Sequence, residues 1–186
     1  MERILIIGSN GAGKSTFSYA LAEKTGLPLI HIDRLYWRGE WQVTPQDEFE
    51  ATVLAEAQKP RWIIEGNNIR SLHQRLPYAD TVLWFEFPPI VCLLGILRRE
   101  WTHRGQARPD MPPGCKSRLS FSFLRLAAGF NRKHGPVIRA LLSDAPHVRV
   151  IRFVSRRQAA QWLRDEGTGT GDDGEGRWEA AFQEKP

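Results

Sequence analysis

The chain has 186 residues, 41% hydrophobic and 25% charged, with a formal net charge of +5 at pH 7. That is enough for one globular domain with a proper core; Cys92 and Cys115 fit no zinc or disulfide framework. No apolar run approaches the roughly 18 residues of a membrane span, since the longest, from Pro88 to Leu97, runs straight into Arg98 and Arg99.

Arg3–Ile7 reads as a buried strand, and Gly8-Ser9-Asn10-Gly11-Ala12-Gly13-Lys14-Ser15 follows at once as GxxxxGK[ST], a phosphate-binding loop. A helix is expected from Lys14 through Glu23. A secretory leader has no room before this motif, so a cytoplasmic protein is expected. The second strand is Pro28–Ile32, and Thr44 is expected to cap a helix with Pro45 at its first position, running to about Gln58. Arg61–Glu65 reads as a strand, Ile69–Arg75 as a short helix and Thr81–Phe87 as a strand. A helix from Pro88-Pro89 to about His103 leads into the Pro/Gly-rich and basic stretch 104–117, a loop of functional length. Two helices, Leu119–Asn131 and Pro136–Leu142, precede a fifth strand, His147–Phe153. Ser155 and Gln158 make a capping box for a last helix to about Glu166. The Gly/Thr/Asp-rich residues 167–186 read as a disordered tail.

Alternating strands and helices imply an α/β fold, a parallel sheet covered on both faces. Ligands in such sheets gather beyond the carboxyl ends of the strands. Glycines in the loop aim backbone N–H groups at phosphates, and the helix N-terminus adds its positive dipole end. Gly8, Asn10, Gly11, Ala12, Gly13, Lys14, Ser15 and Thr16 are therefore the expected nucleotide contacts. Lys14 would reach the β- and γ-phosphates and Ser15 would ligate Mg²⁺. The base-reading N/TKxD motif of GTP-specific proteins does not occur, which favours ATP.

Asp33 follows the second strand beside this loop, where a carboxylate could take a proton from a substrate hydroxyl or help hold hydrated Mg²⁺; a capping role is the alternative. Glu65 ends the third strand, the expected place for a group orienting magnesium-bound water. Gly66 would let a substrate approach the backbone, with Asn67 and Arg70 nearby. Trp37 and Trp41 flank a turn after Asp33 and could stack a base or line an acceptor site, or equally cover the core edge. Arg98, Arg99, Arg104 and Arg108 bracket the start of the 104–117 loop; a mobile arginine-bearing loop can close over phosphates and exclude water. Arg104 and Arg108 are the better placed, being on the loop itself.

Charge is unevenly spread. The tail 167–186 holds five acidic and two basic residues, leaving +8 for the rest, and Arg98–Arg139 also carries net +8. A solvated face, a phosphate clamp or a nucleic-acid patch would each account for it. Arg118, Arg125 and Arg132 are seven apart and share one helix face.

The ordered set GSNGAGKST, HIDRLYW, WIIEGNN and RPDMPPGC followed by a Phe-rich helix resembles the topology modulation proteins (FlaR-like), P-loop proteins related to adenylate kinases. The resemblance runs to about residue 154. It implies a nucleoside-monophosphate-kinase-like fold, a five-stranded parallel sheet of order 2-3-1-4-5 with an arginine-rich lid at about 104–117 in a kinase-like domain of residues 1–166. Gly8 to Thr16 match the ATP loop. Asp33 matches the acid that faces the phosphoacceptor in shikimate- and gluconate-kinase-like relatives, and Glu65-Gly66 matches the Asp-Gly of adenylate kinases. Arg104 and Arg108 fall in the lid region. Glu for Asp at 65, and Asn67-Asn68 for the Pro-Arg of adenylate kinases, argue against AMP as acceptor.

The expected function is thus an Mg²⁺- and ATP-dependent kinase for a small-molecule phosphoacceptor, with no membrane partner. A nucleotide-dependent nucleic-acid-binding protein and a nucleotide-gated switch are the alternatives. The first of these predicts binding that weakens steeply with salt.

Overall fold

The computed structural model describes residues 1–102, 110–115 and 119–165. Its core is a parallel sheet of β1 (Arg3–Gly8), β2 (Leu29–His31), β5 (Trp62–Glu65), β6 (Thr81–Phe85) and β7 (Arg149–Phe153), in the spatial order β2-β5-β1-β6-β7. The remaining strands, β3 (Trp37–Arg38) and β4 (Gln42–Val43), form a separate antiparallel hairpin. With that hairpin set aside, the sheet has the expected 2-3-1-4-5 order.

The central strand β1 is buried on both sides, and its alternation assigns residues to two cores. Leu5 and Ile7 face a cluster with Ile64, Trp84, Phe49, Val53 and Phe130. These bring in α3 (Gln46–Ala57) and α6 (Phe121–Ser143). Ile4 and Ile6 face the other cluster, with Phe17, Leu21, Phe85 and Trp162 from α1 (Lys14–Thr25) and α7 (Arg156–Asp165). The register sets Glu65 level with Ile6 and His31, and Gly8 level with Phe85. The carboxyl ends of the inner strands therefore open at one edge, where the phosphate loop leaves β1.

Two local expectations are corrected. Thr44 does not cap α3: its hydroxyl donates to Leu35 O at 2.8 Å, and Pro45 occupies the cap position. Pro136 does not divide two helices, because α6 runs unbroken from Phe121 to Ser143. The proline ring is on the exposed face, while Ala127, Phe130 and Ile138 keep one buried stripe across it. Tertiary burial outweighs the local cost of about 3 kcal/mol. Half of the Ser155–Gln158 capping box forms as expected, with Gln158 N donating to Ser155 Oγ, while Gln158 Oε1 accepts from Val154 N, one residue before the cap.

Two elements went unforeseen, the short α2 (Ile32–Tyr36) and the hairpin after it. Its turn places Glu40 and Trp41 at φ of 60° and 62° without glycine. No Asn-Gly or similar signal marks such a turn in Arg38-Gly39-Glu40-Trp41. Packing compensates, with Trp37 and Trp41 edge to face at 5.3 Å and Cys115 Sγ donating to Arg38 O. No helix among the described residues is long and apolar enough to cross a membrane.

Candidate active site

The phosphate loop owes its shape to contacts that exclude side chains. A Cβ on Gly8 would lie 2.2 Å from Phe85 O, and one on Gly11 would lie 2.1 Å from Cys92 O. The second contact comes from α5 (Pro89–Thr102), which presses against the loop. Gly95 on that helix is equally constrained, since a Cβ there would lie 2.1 Å from Gly11 O. Gly13, at φ 90°, is the N-cap of α1 and brings no capping side chain. The first-turn N–H groups of α1 are thus left to an anion.

Two side chains, Asn67 and Asn131, brace the loop from afar. Asn67 Oδ1 accepts from Gly8 N at 3.0 Å, and its Nδ2 donates to Asn10 Oδ1 at 3.2 Å. Ser9 Oγ donates to Asn131 Oδ1 at 2.8 Å, and Asn131 Nδ2 donates to Phe87 O at 2.8 Å.

Beside the loop lies a cleft of about 330 Å³. Lys14 is buried there, with Nζ donating to Ser9 O at 3.1 Å and 3.8 Å from Glu65 Oε1. Burial pushes its pKa down from the ordinary 10.5, while Glu65 and Asp33 pull it back up. Glu65 Oε2 is 2.9 Å from His31 Nδ1 and 3.3 Å from Ser15 Oγ. Ser15 Oγ is also 3.0 Å from Asp110 Oδ2. Arg98, Arg99 and Arg156 also line the cleft. Burial, then the charge of Arg98, lowers the pKa of Arg156.

Behind the carboxylates Arg75, at the end of α4 (Leu72–Arg75), is fully buried. Its Nε donates to Ser71 O at 3.3 Å and its Nη2 to Asn68 O at 3.0 Å, which holds the turn after β5. Burial lowers its pKa to about 10 against the opposing pull of Glu65 and Asp33.

The expected residues divide three ways. Asn10, Gly11, Gly13, Lys14, Ser15, Thr16, Asp33, Glu65, Gly66 and Asn67 line the one cleft. Gly8 and Ala12 lie behind it, Ala12 in the core. Trp37, Trp41 and Arg70 are not among the lining residues; the tryptophans build the hairpin and Arg70 is exposed. Arg104 and Arg108, most of the 104–117 loop and the tail 167–186 lie outside the described residues.

Tyr19, Gly95, Thr102, Asp110 and Arg156 line the cleft without having been foreseen. Arg156 had a usable signal, because it follows the last strand and the carboxyl-end rule applies there too. Gly95 is a glycine inside an apolar helical pattern, a known sign of close packing. Asn131 had none, being 122 positions from its partner.

Residues 1–76 match the family model described as isopentenyl transferase. No curated protein matches the chain in sequence. Among solved structures, the chain is similar to a gluconokinase from Sinorhizobium meliloti 1021, at 17% identity and TM-score 0.53 over 88% of this chain and 87% of that one. It is similar to a shikimate kinase from Acinetobacter baumannii in complex with shikimate, at 16% identity and TM-score 0.51 over 88% and 92%. A shikimate kinase from Bacteroides thetaiotaomicron gives 18% and 0.51 over 88% and 94%. These likenesses show the fold, that of P-loop kinases.

Proposed function

We propose that the chain is an Mg²⁺- and ATP-dependent kinase that phosphorylates a small hydroxyl compound. One observation carries the reading: a single cleft holds the phosphate loop with Lys14 and Ser15, three carboxylates, and the cations Arg98, Arg99 and Arg156. Phosphoryl transfer needs positioning and charge stabilisation more than covalent help from the protein. Here α1 and the loop amides hold the phosphates, and Lys14 sits where charge moves between β- and γ-oxygens. Arg98, Arg99 and Arg156 neutralise the rest, and the sequence assigns Arg104 and Arg108 to the same task. Asp33 orients the acceptor hydroxyl and takes its proton.

The oxygen donors Ser15, Glu65 and Asp110 suit a hard cation that keeps part of its water shell. When bound, Mg²⁺ neutralises phosphate charge. The sequence resemblance to topology modulation proteins, P-loop proteins related to adenylate kinases, is compatible with this reading.

The match of residues 1–76 supports a second reading, transfer of an isopentenyl group with diphosphate as leaving group. The cleft argues against it. Tyr19 is its one large apolar ring among the described residues, and no aliphatic side chain lines it. An isoprenoid tail would find little to bury against.

The deciding assay supplies Mg²⁺·ATP with a panel of polyols, sugar acids, hydroxy acids, nucleosides and nucleoside monophosphates, and separately an isopentenyl diphosphate donor with nucleotide acceptors. ADP release stimulated by one acceptor is the expected result. Diphosphate release from the isopentenyl donor would replace the kinase with the transferase. Slow unstimulated hydrolysis, with salt-sensitive DNA binding, would move the function to nucleic acid.

A further inference from the structure

Helix α5 is apolar on two faces, and only one of them is buried. Residues 89–97 carry no charged side chain. Cys92 and Ile96 are sealed in the core, whereas Ile90, Leu94, Leu97 and Trp101 are 61%, 58%, 46% and 85% exposed. At the helical repeat these four fall within about 60° of arc, so they form one stripe about three turns long. A helix that is apolar all round belongs in an interior. A contiguous exposed apolar stripe marks a contact surface, and alternating steps of four and three residues are those of a helix-pairing seam.

The sequence after α7 has the complementary chemistry. Residues 167–176 are Gly/Thr-rich and acidic, with Asp172, Asp173 and Glu175. Arg177-Trp178-Glu179-Ala180-Ala181-Phe182-Gln183-Glu184 follows. Trp178, Ala181 and Phe182 stand at i, i+3 and i+4, so one helical turn would put them on one face, with Glu179 and Glu184 off it. This spacing is the one by which helices dock in apolar grooves. The tail holds five acidic and two basic residues, net −3, against +8 for the rest of the chain. Cations flank the stripe. Arg98 follows Leu97 directly, and Arg156 reaches α5 from the start of α7, where a Cβ on Gly95 would lie 2.8 Å from its Nη2. Reach is sufficient. The ten residues of α7 are about 15 Å long, and residues 166–177 extended would span up to about 40 Å. The chain leaving Asp165 can therefore return past Arg156 to α5.

We propose that Trp178 and Phe182 dock on the outer stripe of α5 in the same molecule, as an acidic strap over an apolar face with basic flanks. The tether favours this occupant over a second copy, because it presents the segment at an effective concentration of about millimolar. The docked strap would brace α5 against the phosphate loop, which Gly95 already touches. Nothing in it depends on which reaction the cleft carries out.

The test is amide hydrogen exchange on the full chain at low protein concentration, read in peptides covering 90–101 and 177–184. The variants are Leu94→Ser and the pair Trp178→Ser with Phe182→Ser. Light scattering gives the mass, and thermal unfolding checks the fold. In the wild type, 177–184 should exchange about tenfold or more slowly than an unstructured segment. Leu94→Ser should return them to the unstructured rate, and the tail pair should speed exchange in 90–101.

An unstructured rate for 177–184 in the wild type overturns the proposal. Protection of 90–101 by anionic phospholipid vesicles would then give the face to a membrane. Tail protection that appears only as the mass doubles overturns it in favour of a second copy. Tail protection that survives Leu94→Ser overturns it too, because the segment is then seated elsewhere. If Leu94→Ser does not fold, the tail pair decides, and unchanged exchange in 90–101 overturns the proposal.

Discussion

Lys14 is the residue on which affinity and stability pull in opposite directions. Its buried ammonium has a pKa below 10.5, so the unfolded chain holds more protons between the lowered value and 10.5. Stability therefore rises with pH through that window, whereas phosphate binding needs the charged form and falls. Denaturation and ATP-binding curves from pH 7 to 10, with Lys14→Met as control, should show the two trends crossing. The control should show neither. Lys14→Ala should lower turnover about 10²–10³-fold with the fold retained, as measured by steady-state kinetics beside circular dichroism. Arg75→Met should cost about 2–4 kcal/mol in chemical denaturation. It leaves the Asn68 and Ser71 carbonyls without their donor and removes a buried cation near Glu65 and Asp33. The place of Lys14 and Ser15 in the cleft was legible because a fixed spacing encodes the loop that carries them. Arg75 was not, since its position in Leu72-His73-Gln74-Arg75 reads as an ordinary solvated helix end.

Among the elements, α5 does the least expected work. It presses on the phosphate loop through Gly95 and Gly11, and its last turn supplies Arg98, Arg99 and Thr102 to the cleft. Gly95→Ala would raise helix propensity by about 1 kcal/mol in a free helix. Here its methyl would sit on Gly11 O, so ATP affinity should drop about tenfold or more in a binding titration. A helix that only covered the core would show a gain in stability and no change in affinity. Element type and order were readable from periodicity, as with the apolar run Ile4–Ile7 and the Trp62–Ile64 run before Glu65. Breaks in elements were less readable. Pro136 signals an end that packing of Phe130 and Ile138 overrides, and the β3–β4 hairpin turns on two non-glycine residues with positive φ. Neither outcome is written locally, because each is settled by what the segment packs against.

At the scale of the molecule, the parallel sheet makes the site from distant pieces of chain. The cleft draws on the ends of β1, β2 and β5, on α5, on residue 110 and on the start of α7. The carboxyl-end rule was enough to point to the first of these, but not to Asn131 or Asp110, which arrive by tertiary packing alone. The span from Ser9 to Asn131 also imposes an order in time. The phosphate loop is made before its partner, and its bonding is complete only when a residue 122 positions later has docked. Contacts so far apart in sequence are slow to close. After dilution from denaturant, recovery of ATP binding should therefore lag behind recovery of helical signal and follow the slowest refolding phase in stopped-flow traces. Asn131→Ala should remove that lag at the expense of final affinity. A nascent chain of this kind carries its most recognisable motif unfinished until those 122 further positions have been added.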